Sequence, residues 1–119
     1  MAEPISSFEE AVAFALTLPD TVLSTSYGKP AVKVTSNGRA FLYTGHEDKI
    51  SFGIAIDLDT IEILKETDPD TFFQTPHYEG WPAVLIRFDS DDPERVRAMI
   101  ERSRDWTAAK PPPKARKRK

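Results

Sequence analysis

Thr75-Pro76-His77-Tyr78-Glu79-Gly80-Trp81-Pro82-Ala83-Val84-Leu85-Ile86-Arg87-Phe88-Asp89 sets a loop of aromatic, glycine and proline residues directly against an apolar strand. Val84, Ile86 and Phe88 alternate with Leu85 and Arg87, the period of two expected of a strand with two unlike faces. Upstream, Ile50, Phe52, Ile54 and Ile56 alternate in the same way with Ser51, Gly53 and Ala55. Before that, Asn37-Gly38 is the pair that tolerates positive φ at both centres of a type I′ turn, and predicts a two-residue hairpin. In that register Val34 faces Phe41 and Val32 faces Tyr43 on a buried face shared with Phe52 and Ile54. Lys33 then pairs with Leu42 and Thr35 with Ala40 on the other face. That second face is expected to be shallow, built from small residues with Lys33 and Arg87 upon it.

Helices are expected at both ends of these strands. Ser6 with Glu9, or Ser7 with Glu10, offers a capping box, after which Phe8, Ala11, Val12, Ala15 and Leu16 form one apolar stripe. Asp59-Thr60-Ile61-Glu62 predicts a short helix ending before Asp68-Pro69, and a long irregular segment follows. Asp92-Pro93 opens the last helix, with Val96, Met99, Ile100 and Ser103 inward and Arg97 paired with Glu101 outward. Strands in hairpins, flanked by helices at both ends, make an α+β domain.

The chain has 119 residues, enough for one core. No apolar run approaches the roughly 20 residues of a membrane span. The amino terminus lacks a basic leader followed by an apolar stretch, so a cytoplasmic protein without membrane contact is expected. Cysteine is absent, which excludes disulfides, thiolate nucleophiles and zinc–thiolate sites. No Gly-rich phosphate loop and no G-x-S-x-G elbow occurs, and no base, nucleophile and oxyanion donor can be assembled from spacing. A non-enzymatic protein with no cofactor and no metal is therefore expected. His46 and His77 lack metal-ligand spacing, and His46-Glu47-Asp48 has the composition of a solvated turn.

The net charge of −3 conceals an asymmetry. Residues 1–109 hold all 19 acidic side chains and 10 of the 16 basic ones, about −9; residues 110–119 hold the other six basic ones, +6. The first segment reads as the folded domain, and the second as a disordered, proline-rich basic tail. Lys110, Lys114, Arg116, Lys117, Arg118 and Lys119 in that tail suit phosphate contacts. His77, Tyr78 and Trp81 have two readings: aromatic rings beside cations stack bases or clamp planar ligands, and buried aromatic residues pin a loop to a sheet.

These motifs together resemble the MmcQ/YjbR family of small bacterial proteins. The resemblance runs from the Phe8-Glu9-Glu10 helix through Tyr27-Gly28-x-Pro30-Ala31-x-Lys33-Val34 and His77-Tyr78-x-Gly80-Trp81-Pro82 to Asp92-Pro93-Glu94 and Trp106. It implies a compact α+β domain with an antiparallel sheet of about five strands, packed on one face by the N- and C-terminal helices. It also implies DNA binding through a winged arrangement of hairpins, with Lys33, His77, Trp81 and Arg87 matching the family pattern. The carboxyl end departs from relatives, which tend to finish with an Ala-Pro-Lys-Arg-Leu-like element. Weak, mostly electrostatic DNA binding is the expected function. The alternative is a protein-interaction adaptor that receives a protein partner on the open sheet face.

Overall fold

The computed structural model describes residues 3–45 and 49–111, and the chain alternates there between a helical layer and one antiparallel sheet. In chain order the elements are α1 (Phe8–Ala15), β1 (Thr21–Ser26), β2 (Lys29–Val34), β3 (Ala40–Thr44), β4 (Ser51–Ala55), α2 (Leu58–Thr67), β5 (Phe72–Phe73), β6 (Ala83–Arg87) and α3 (Pro93–Ala108). The strands run β1-β2-β3-β4-β6-β5 across the sheet, every neighbouring pair antiparallel. The expected five strands are present. A sixth, β5, comes from the segment expected to be irregular, where Phe72 and Phe73 pair with Ile86 and Leu85.

Each helix begins where a side chain satisfies otherwise orphaned amides. Ser7 caps α1 by accepting from the Glu10 amide at 3.1 Å, which selects the second of the two capping registers. Asp92 caps α3 with Pro93 at its first position, as the sequence predicts. For α2 the cap is Asp57 rather than Asp59, because Asp57 is extended and accepts from the Thr60 amide and hydroxyl. Arg97 does not pair with Glu101 but donates to the Glu3 carbonyl at 2.6 Å, tying the amino-terminal segment to α3.

Burial alone would raise the Asp57 carboxyl, but hydrogen bonds from Thr60 outweigh it and, with the charge of Arg102, hold the group below its ordinary value. A carboxylate with a lowered folded pKa adds stability above its unfolded pKa and loses it as pH falls through the folded value. Asp57→Ala is therefore expected to cost about 1 kcal/mol near neutral pH, as for other lost N-caps. The difference from the parent should shrink in acid, and denaturant titrations at both pH values check this.

All three helices lie on one face, where Ala11, Ala15, Ile61, Leu64, Val96 and Ile100 meet Val32, Val34, Leu42, Phe52, Ile54, Val84 and Ile86. Ser103 of α3 is buried there too and donates to the Phe41 carbonyl at 3.1 Å.

The hairpin register differs from the expected one, and this reshapes the second face. The β2–β3 connection is the five-residue loop 35–39, closed by Val34 donating to the Arg39 carbonyl and accepting from Gly38, each at 2.8 Å. Only Gly38 has positive φ there, so Asn37-Gly38 is not a type I′ turn. The Asn37 side chain is buried instead, donating to the Thr107 and Lys110 carbonyls at 2.8 and 3.0 Å and so closing the end of α3. Val32 pairs with Leu42 and Lys33 with Ala40, which leaves Phe41 as a bulge. A one-residue slip exchanges faces. Leu42 therefore joins the core, while Tyr43 leaves it and lies opposite Ala31 and Gly53 on the other face.

The type I′ geometry appears one hairpin earlier, at Tyr27-Gly28. Ser26 pairs with Lys29, and both central residues have positive φ, +54° and +80°.

Candidate nucleic-acid interface

The sheet's second face is not open at its centre. Ala31, Ser51, Gly53 and Leu85 all lie on it and all are buried. The cover includes Tyr43 and Tyr78: a Cβ built on Gly53 would meet the Tyr43 ring at 2.6 Å, and one on Gly45 would come within 3.5 Å of the Tyr78 hydroxyl. The Tyr43 hydroxyl is held far above its usual pKa by burial and by its Tyr78 neighbour, so it stays protonated and able to donate.

Gln74 organises the covering loop. Its amide donates to the Ala83 carbonyl at 2.7 Å and the Tyr78 carbonyl at 3.1 Å, while its oxygen accepts from Lys65 at 2.9 Å. Turns at Thr75–Tyr78 and Tyr78–Trp81 compact the same stretch. The loop is thus pinned by its own polar groups, and its outer aromatic rings are left at the surface: Trp81 is 64 % exposed.

Between this loop and the β1–β2 turn lies a cleft. One part, about 330 Å³, is bordered by Tyr27, Lys29, Tyr43, Thr44, His77 and Tyr78. A second, about 560 Å³, shares Tyr27, Tyr43, His77 and Tyr78 and extends to Arg39, Trp81 and Pro82. Both lie within the range of about 300–1,000 Å³ typical of small-ligand sites. A smaller hollow of about 160 Å³ continues past Arg39 and Pro82 to Trp106 and Lys110. Lys29, Arg39 and Lys110 thus mark a cationic line along the aromatic walls. The chain's exit is fixed beside it, since Arg39 donates to the Pro111 carbonyl at 2.6 Å.

Of the residues expected to form a site, His77 and Trp81 come together here. His77 meets Tyr78 edge to face, with ring centroids 5.2 Å apart. Lys33 and Arg87 both lie on the second face, but on β2 and β6 with β3 and β4 between them, so they flank no common groove. Arg87 is engaged over the Phe73 ring, 4.2 Å from its centroid. Lys110 sits 4.1 Å from the centroid of the Trp106 ring. Lys114, Arg116, Lys117, Arg118, Lys119 and His46 lie outside the described residues.

Tyr27, Lys29, Arg39, Tyr43 and Gln74 were not legible as one site. Tyr27-Gly28 is a turn signal, but the placement of Tyr43 depends on the bulge at Phe41, and nothing local marks Gln74. Among the described residues no group of three or more His, Cys, Asp and Glu side chains gathers to hold a metal ion, and no helix is long and apolar enough to cross a membrane.

Neither the curated proteins nor the solved structures searched contain a significant match to the chain. Residues 16–106, which carry the sheet, the covering loop and most of α3, match the YjbR family. With that span matched and an α+β fold whose helices cover one sheet face, the protein belongs to the YjbR family.

Proposed function

We propose that the protein is a non-enzymatic nucleic-acid-binding protein of this family. Its basic carboxyl-terminal segment attracts phosphates, and the cleft on the second face supplies the remaining contacts. The observation that carries this reading is the separation of charge along the fold. Residues 21–45 hold Lys29, Lys33 and Arg39 and no acidic side chain. Glu9, Glu10, Asp57, Asp59, Glu62, Glu66, Asp68 and Asp70 belong to α1, α2 and the flanks of α2.

The charge of about −9 over residues 1–109 is therefore unevenly spread along the chain, with Glu79 the one acidic side chain of the covering loop 75–82. Repulsion of phosphates is screened beyond roughly 8–10 Å at ordinary ionic strength, so the local sign decides what approaches the cleft. Lys110 and Pro111 are tied to Asn37 and Arg39 at the cationic end of that cleft, and the sequence that follows them carries five further cations.

The adaptor reading loses the flat sheet face on which it depended, because Leu85, Gly53 and Ala31 are covered. Fluorescence anisotropy of the intact protein with labelled duplex DNA, single-stranded DNA and RNA at low salt tests the proposal. Binding that weakens steeply with added salt, and that weakens in a Lys29→Glu variant, is expected. Absence of binding to all three at 50 mM salt refutes it.

A further inference from the structure

We infer that the cleft between Tyr27 and Trp81 is a stacking site for the unpaired bases of a single-stranded nucleic acid. This rests on the nucleic-acid reading above and narrows it to one class of partner.

The first ground is Tyr27. Its side chain is fully exposed, so it contributes nothing to the core, yet it occupies a left-handed backbone position. Type I′ turns favour Asn, Asp or Gly at that position, and a bulky residue there is strained. Folding alone would be better served by Asn. Strain of this kind, unrelieved by packing, is characteristic of residues held for contact with something else.

The second ground is composition and shape. Tyr27 and Trp81 border one cavity together with His77, Tyr43 and Tyr78, and Arg39 borders it too. Lys29 borders the adjoining part, as does Thr44, whose buried hydroxyl has no hydrogen-bond partner among the described residues. Flat rings beside cations suit a planar base attached to a phosphate chain.

The third ground excludes the duplex. Paired bases present their edges in the grooves, whereas their flat faces are taken by neighbouring pairs. Ring faces in a cleft are reachable only by bases already free of the stack.

The test compares four probes with the intact protein: a twelve-nucleotide deoxyadenosine strand, an abasic strand of equal length, the same sequence as a duplex, and free adenosine monophosphate. Base stacking contributes roughly a 5- to 150-fold gain in affinity per base. The normal strand should therefore bind at least fivefold tighter than the abasic strand and the duplex. It should also quench Trp81 emission in a Trp106→Phe background, and adenosine monophosphate should bind far more weakly than the strand.

Tyr27→Asn should lower normal-strand affinity at least fivefold and leave abasic-strand affinity unchanged, with a melting temperature equal to or above the parent's. Trp81→Ala provides a second variant with the same expected binding pattern. Equal binding of normal and abasic strands, or of strand and duplex, overturns the inference while leaving nucleic-acid binding intact. So does undiminished strand binding by both variants. Mononucleotide binding as tight as the strand's reassigns the cleft to a free nucleotide. No binding of any strand or duplex fails the broader proposal instead.

Discussion

Ending the chain at Pro111 is expected to abolish most of the salt dependence of duplex binding and to leave the domain folded. If the six cations from Lys110 onward all contact phosphates, log affinity should fall with log salt at a slope of roughly −5, about a thousandfold between 50 and 200 mM. Removing residues 112–119 takes away five of the six. The slope should then approach −1, about a fourfold change over the same range. The cut belongs after Pro111 rather than after Ala109, because the Lys110 carbonyl accepts from Asn37 and the Pro111 carbonyl from Arg39. Those two residues help to close α3 on the β2–β3 loop, so their loss would mix destabilisation with lost binding. Residues 112–119 are Pro-Pro-Lys-Ala-Arg-Lys-Arg-Lys, a composition with no large apolar side chain to bury, so the melting temperature should not move. Anisotropy titrations at several salt concentrations, with a melting curve for each protein, decide the matter. An unchanged slope in the shortened protein would place the phosphate contacts on the folded body.

The same titration separates two modes of contact. If duplex binding is mostly counterion release, as proposed, duplex affinity should collapse on truncation, and that term carries no information about bases. Any gain of a normal strand over an abasic one should survive, because Tyr27, Trp81 and His77 all lie within the folded part. On the proposed reading, truncation should change how readily nucleic acid is captured, and changes in the cleft should alter which form is preferred.

The parts of this architecture legible in the sequence are those set by local periodicity and capping. The apolar alternation at Ile50–Ile56 and Val84–Phe88 marks two strands whatever lies beside them. Asp92-Pro93 begins a helix for reasons internal to that dipeptide. What escaped was the pairing between elements. Asn37-Gly38 is a strong hairpin signal, but the Asn37 side chain is drawn instead into hydrogen bonds that close α3, some 70 residues away. That distant competition lengthens the loop, moves the register by one and places Tyr43 in the cleft rather than the core. The β5 strand was missed for a related reason. Two residues carry no periodicity, and Phe72-Phe73 is a strand only because β6 offers it an edge. The aromatic cluster at His77–Trp81 was visible from composition, whereas its partners Tyr27, Lys29 and Arg39 come from other hairpins and meet it only in the fold.

Gly53 shows how closely the sheet and the cleft depend on each other. It sits in the middle of β4, between Tyr43 on β3 and Leu85 on β6, and no side chain intervenes between its backbone and the Tyr43 ring. A Cβ there would lie 2.6 Å from one ring carbon and 2.9 Å from the next, so the ring cannot keep its place. Gly53→Val adds a branched side chain at that point, and overpacking of this kind costs about 3 kcal/mol at the upper end of its usual range. Valine's preference for strands offsets only a fraction, since the whole scale spans about 1 kcal/mol. A ring displaced outward enters the cavity it now borders with Tyr27 and His77. The variant should therefore unfold at lower denaturant and also lose strand binding under conditions where it remains folded, while its tail-driven duplex binding persists. A Gly53→Val protein with parental stability and parental strand affinity would mean that Tyr43 does not pack over β4 as described, and that the cleft is not built upon it.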